Sequence, residues 1–172
     1  SDDGIITFTT SIDGADGTED DLTIDGGTGT ITLQVIGANT ALSSLNINTD
    51  AGSTANLTVP NIGAGSAGVS GATAIGNTNT GTLTLDGTVY NTGDTQTYTA
   101  ATGGGNIDIT GAATFTTSAD NIAFNTSGVD LVASVAITTG TGGAGDVSFG
   151  GAIEANAVSY THLRAHETMV ER

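Results

Sequence analysis

An apolar–polar–apolar triplet returns along the chain as Ile6-Thr7-Phe8, Ile31-Thr32-Leu33, Leu57-Thr58-Val59, Leu83-Thr84-Leu85 and Ile107-Asp108-Ile109. Leu131 opens a looser sixth copy. The first residues of successive copies lie 25, 26, 26, 24 and 24 positions apart. Alternation with a period of two is the mark of a strand with one face inside. A fixed return of this length marks a stacked repeat, each copy one coil of a solenoid. Ile6/Phe8, Ile31/Leu33, Leu57/Val59, Leu83/Leu85 and Ile107/Ile109 then form two inner columns. Thr7, Thr32, Thr58, Thr84 and Asp108 form an outer one.

Further short strands fall between the triplets: Leu22-Thr23-Ile24, Leu45-Asn46-Ile47, Phe115, Ile122-Ala123-Phe124 and Val135-Ala136-Ile137. Two or three strands in each coil of 24–26 residues predict an all-β, triangular parallel β-helix of about six coils. Asp-Gly pairs at 13–14, 16–17, 25–26 and 86–87, with glycine runs at 103–105 and 142–143, supply the turns. Residues 63–82 carry little alternation and read as a long loop or an ill-formed coil segment. Pro60 follows the Leu57–Val59 triplet, at a strand end where proline is tolerated. No stretch of residues 1–157 has helical spacing of apolar positions.

Composition narrows the picture. Twenty-seven glycines and seven aromatic residues in 172 positions predict a thin, aliphatic core. The net charge of −16 is distributed one-sidedly, because residues 1–161 contain no Lys, Arg or His. Phosphate-bearing partners need cations, so nucleic acid and anionic membrane surfaces are excluded. Protein surfaces, neutral glycans and divalent cations are compatible partners. Without cysteine there is neither disulfide nor thiolate metal site. No run is long and apolar enough for a membrane span. Ser1 is not a start methionine, and the chain reads as an internal piece whose leader, if any, is not in view.

Candidate chemistry is sparse. Asp13, Asp16, Glu19, Asp20 and Asp21 put five carboxylates in nine residues, a donor set suited to a hard cation such as Ca²⁺. Ala15 and Gly17 occupy positions an EF-hand needs for ligands, and a solvated acidic turn is the competing reading. Gly26-Gly27-Thr28-Gly29-Thr30 begins a calcium nonapeptide, but Ile31 stands where its aspartate belongs. Thr-x-Thr pairs resemble those of ice-binding solenoids; Asp108 breaks their column, and Asn56, Asn106 and Asp130 interrupt the one beside it. For catalysis, Ser–His and Cys–His nucleophile pairs are ruled out over residues 1–161. Carboxylate pairs could cleave glycosides, but the body offers only Tyr90 and Tyr98 as nearby sugar platforms. The expected protein is not an enzyme.

Two resemblances follow from particular segments. Val158 to Thr168, read Val-Ser-Tyr-Thr-His-Leu-Arg-Ala-His-Glu-Thr, resembles translated sequencing-adaptor read-through. Residues 158–172 are therefore set apart as a non-native tail, leaving 1–157 as the solenoid. His166-Glu167 is followed by Thr168-Met169-Val170, so no H-E-x-x-H zinc motif exists there. The segments Gly27–Leu33, Thr40–Ile47 and Gly145–Ile153 resemble repeats of filamentous-haemagglutinin-like and autotransporter adhesins, across most of residues 4–157. That resemblance implies a right-handed β-helix, export to the bacterial outer-membrane surface or medium, and a role in adhesion. It carries over no site residue. Neighbouring repeats of a longer chain, and a host or neighbour-cell protein or neutral glycan, are the implied partners. A calcium-stabilised extracellular module and a polysaccharide-degrading β-helix are the alternatives.

Overall fold

A computed structural model describes residues 4–15, 20–140 and 145–155. The segment 158–172, set apart above as a tail, lies outside the described residues. Among the described residues there are sixteen short strands and no helix. The first six are β1 (Ile6–Thr7), β2 (Asp21–Ile24), β3 (Ile31–Thr32), β4 (Ser44–Ile47), β5 (Leu57–Val59) and β6 (Thr73–Ile75). Then come β7 (Leu83–Leu85), β8 (Val89–Asn91), β9 (Gln96–Thr99), β10 (Ile107–Ile109) and β11 (Thr114–Thr116). The last are β12 (Ile122–Asn125), β13 (Gly128–Leu131), β14 (Ala136–Thr138), β15 (Val147–Phe149) and β16 (Ala152–Ala155).

Every pairing is parallel and links one coil to the next, which makes the chain a β-solenoid of about six turns. Each coil visits three ladders in the same order. The first holds β1 and β3, then separately β5, β7, β10, β13 and β16. The second joins β8, β11 and β14, and single bridges carry it back through Ile62 and Ile36 to Ile12. The third runs β2, β4, β6, β9, β12, β15 without a break.

The triplets fall where the alternation put them. Leu57, Leu83 and Ile107 align, as do Val59, Leu85 and Ile109, all buried, while Thr58 and Thr84 face outward. Thr7 aligns with Thr32. The sixth copy begins two residues earlier than the spacing suggested: Val129, not Leu131, pairs with Ile107. A shift of two preserves the inward parity, so either register looks apolar on paper. Asp130 consequently belongs to the same outer column as Asp108, not to the neighbouring one.

Residues 63–82 are a full coil segment, not a long loop. Val69 is completely buried and bridges both Leu42 and Thr92, and β6 lies within the stretch. Its glycines make backbone-on-backbone packing. Gly63 has φ +81°, and a Cβ on Gly68 would collide with the Gly63 backbone.

The core is aliphatic only in its first half. In coils 4 to 6, Tyr90 stacks on Phe115 with ring centroids 4.7 Å apart, and Tyr98 on Phe124 at 5.4 Å. Phe149 continues that pile at 5.0 Å from Phe124. Tyr98 and Phe115 meet edge to face at 5.7 Å, so the second and third ladders interlock. Each ring lies one coil from the next, spacing that a parallel ladder imposes and a residue count does not reveal.

Candidate functional site

Of the five clustered acids, the described residues include Asp13, Asp20 and Asp21. Asp16 and Glu19 lie outside those residues. Asp13 works as a staple between the first two coils. Its Oδ1 accepts the backbone N–H of Asn39 at 2.8 Å, and its Oδ2 accepts the Asn39 amide at 3.0 Å and the Ser11 hydroxyl at 2.8 Å. These bonds, the Asn39 backbone N–H foremost, lower the carboxyl pKa to about 2. Asp20 accepts the Ala15 N–H at 2.9 Å, and Asp21 accepts the Ser44 hydroxyl at 2.7 Å from the exposed side of β2. Carboxylates placed this way close turns and tie coils. Among the described residues no three His, Cys, Asp or Glu side chains lie together in a metal-holding group.

A second acidic group was not singled out from the sequence. Asp108, Asp130 and Glu154 stand in one register on β10, β13 and β16. Asp108 Oδ1 is buried without a hydrogen-bond partner, whereas Asp130 Oδ2 accepts the Asn106 amide at 3.0 Å. Burial raises the Asp108 pKa, and the Asp130 charge and a hydrogen bond with Asp130 push it the same way. The signal was present as an acid in the middle position of the last copies, where the earlier ones carry threonine, but only the Val129 register aligns them.

Tyr90 and Tyr98 are completely buried and present no sugar platform. The Tyr90 hydroxyl donates to the Val59 carbonyl at 2.8 Å and accepts the Gly87 N–H at 2.9 Å; that of Tyr98 donates to Gln96 Oε1 at 2.9 Å. Burial raises the pKa of both phenols, so they stay neutral inside the core.

The largest irregularity is a split in the first ladder. No pairing joins β3 to β5, although the same coils are bridged at Ile36–Ile62 and paired at β4–β6. One of the missing bonds is written in the sequence. At the end of each later triplet a backbone N–H crosses to the preceding coil: Asp86 to Val59 at 3.2 Å, Thr110 to Leu85 at 3.0 Å, Val132 to Ile109 at 3.0 Å. The equivalent position in coil 3 is Pro60, which has no N–H to give to Leu33. A cavity of about 330 Å³ opens there, lined by β3, Leu33, Thr58, Pro60 and Asp86. A second, of about 300 Å³, continues past Pro60 to Asn61 and Thr88.

Compared with protein-family models, with curated proteins and with solved structures, the chain matches none.

Proposed function

We propose that this chain is a non-catalytic structural segment of a large bacterial adhesin, exposed at the outer-membrane surface or secreted, in which it forms a rod that carries or displays binding regions. The observation that supports the reading best is the register. The inward columns repeat from coil to coil, with the first ladder interrupted only between β3 and β5 among the described residues, and nothing about one coil is special enough to organise the rest. At about 4.8 Å per coil, six turns make a spacer of roughly 30 Å. Neighbouring repeats of the same longer chain are its natural contacts on this reading. Body carboxylates without cations suit an exterior that stays soluble and repels nonspecific partners.

Antibodies raised against the chain test the placement: they should label intact cells of the source organism without permeabilisation. Signal confined to lysed cells would contradict a surface role. Reducing-sugar release from neutral polysaccharides should stay at the buffer level. Turnover above that level would favour the polysaccharide-degrading alternative instead.

A further inference from the structure

Among the described residues, large apolar side chains are exposed chiefly at the two ends of the solenoid. Ile5 (77% exposed) precedes β1 in the first coil, and Val147 (42%) and Ile153 (45%) lie on β15 and β16 in the last; Val132 alone stands elsewhere. The end coils also carry strands paired on one side only: β1 and β2 at one end, β14, β15 and β16 at the other. Along the inner columns each N–H crosses to the following coil. Leu57 gives its own to Thr82 at 3.0 Å and Leu83 to Asn106 at 2.9 Å on the first ladder; Ile122 gives to Asp146 at 2.9 Å on the third. Ile153 and Val147 hold these positions in the last coil, so their N–H groups face forward with no described strand to receive them. At the other end, Ile6 and Phe8 donate to coil 2, and by alternation the backbone of Ile5 and Thr7 faces away from it.

The two faces match column by column. Continuing each ladder by one coil sets Ile153 over Ile6, Ile137 over Ile12, Val147 over Leu22 and Phe149 over Ile24, apolar on apolar at every inner position. Outside, Ala152 meets Ile5, Glu154 meets Thr7 and Ser148 meets Thr23; Asp146 over Asp21 is the like-charged pair in these columns. We infer that a second copy of this chain docks end to end, its first coil continuing the ladders of the last, and that copies add in the same sense into a linear filament. A head-to-tail contact of this kind does not close on itself, because successive coils advance along one axis. Strand pairing and the covering of Ile5, Val147, Phe149 and Ile153 drive it. The net charge of −16 opposes it, and salt relieves that repulsion by screening over about 8 Å at physiological strength. The inference rests on the solenoid itself and is independent of the surface role proposed above.

Sedimentation of the full chain should show species that grow with protein concentration and with sodium chloride. Val147→Glu combined with Ile153→Glu alters two exposed positions and should return the chain to monomer, its melting transition confirming that it folds. Asp146→Lys, set against Asp21, should strengthen assembly several-fold and flatten its salt dependence. Disulfides read the direction of stacking, since the chain has no cysteine. Thr23 and Ser148 stand at opposite ends of one outer column, about 24 Å apart within a copy at roughly 4.8 Å per coil. Between stacked copies they are neighbours within disulfide reach. Thr23→Cys and Ser148→Cys chains, mixed under mild oxidation, should therefore cross-link to each other, and neither should cross-link to itself. A chain that stays monomeric at millimolar concentration and high salt would overturn the proposal. So would equal cross-linking of either variant with itself, or unchanged assembly by the chain carrying Val147→Glu and Ile153→Glu.

Discussion

Thr73 occupies an inner position of the third ladder, between Leu45 in the coil before and Gln96 in the coil after. Gln96 is fully provided for: its amide donates to the Tyr90 and Thr116 carbonyls at 3.0 and 2.8 Å, and its Oε1 receives Tyr98. Thr73 Oγ1 is buried with no partner. Thr73→Val keeps the shape and removes the orphaned hydroxyl, so unfolding free energy should rise by about 1 kcal/mol, read from the denaturant midpoint. Two carboxyls set opposite pH dependences. Asp13 titrates in the fold at about 2 against an ordinary 3.8, so its contribution is present above the ordinary value and lost as pH falls toward 2. Asp108 is raised, and is faced by Thr84 on β7 and by Asp130, which Asn106 holds, with Glu154 one coil further. The fold therefore binds more protons than the unfolded chain above pH 3.8, and stability falls as pH rises through the Asp108 titration. Melting across pH should show Asp108→Asn removing that decline, while Asp13→Asn removes the acid-side loss.

At the scale of elements, Pro60 is the informative residue. Pro60→Thr supplies the missing donor and should raise unfolding free energy by about 1 kcal/mol for the single bond, with more if the β3–β5 ladder closes fully. A lower midpoint would mean that the proline relieves strain instead. The triplets were legible because alternation and period agree, and Leu57–Val59, Leu83–Leu85 and Ile107–Ile109 are strands at those limits. The second ladder was read less well. Ile12, Ile36 and Ile62 each contribute a lone bridge rather than a strand, so no local alternation marks them. β6 was missed because Thr73 and Ala74 dilute its pattern, and its order comes from β4 and β9 on either side. Pro60 was read as a strand end, which it is. That it also removes a bond between coils 2 and 3 depends on which N–H crosses between coils, a fact of register and not of composition. The acidic turn was visible as a cluster, but Asp13 is committed to Asn39, a partner 26 residues away that only the coil brings near.

On the scale of the whole molecule, the account rests on every coil lying directly over the one before it. Parity gives one test. Leu83 is fully buried and Thr84 faces out, so Leu83→Asp should abolish cooperative folding by burying an unpaired charge. Thr84→Asp should leave it folded, with a modest loss from repulsion by the neighbouring Asp108. Similar losses would mean the faces are assigned wrongly. The most direct measurement is distance along the outer column of the first ladder. The chain has no cysteine, so pairs introduced at Thr7 with Thr84, Asp108 or Asp130 can be spin-labelled without background. Stacked coils predict label separations that grow in equal steps, about 14, 19 and 24 Å between backbones at roughly 4.8 Å per coil. Distances that fail to increase from Thr84 to Asp108 to Asp130, as a sandwich or hairpin fold would give, would contradict the solenoid outright.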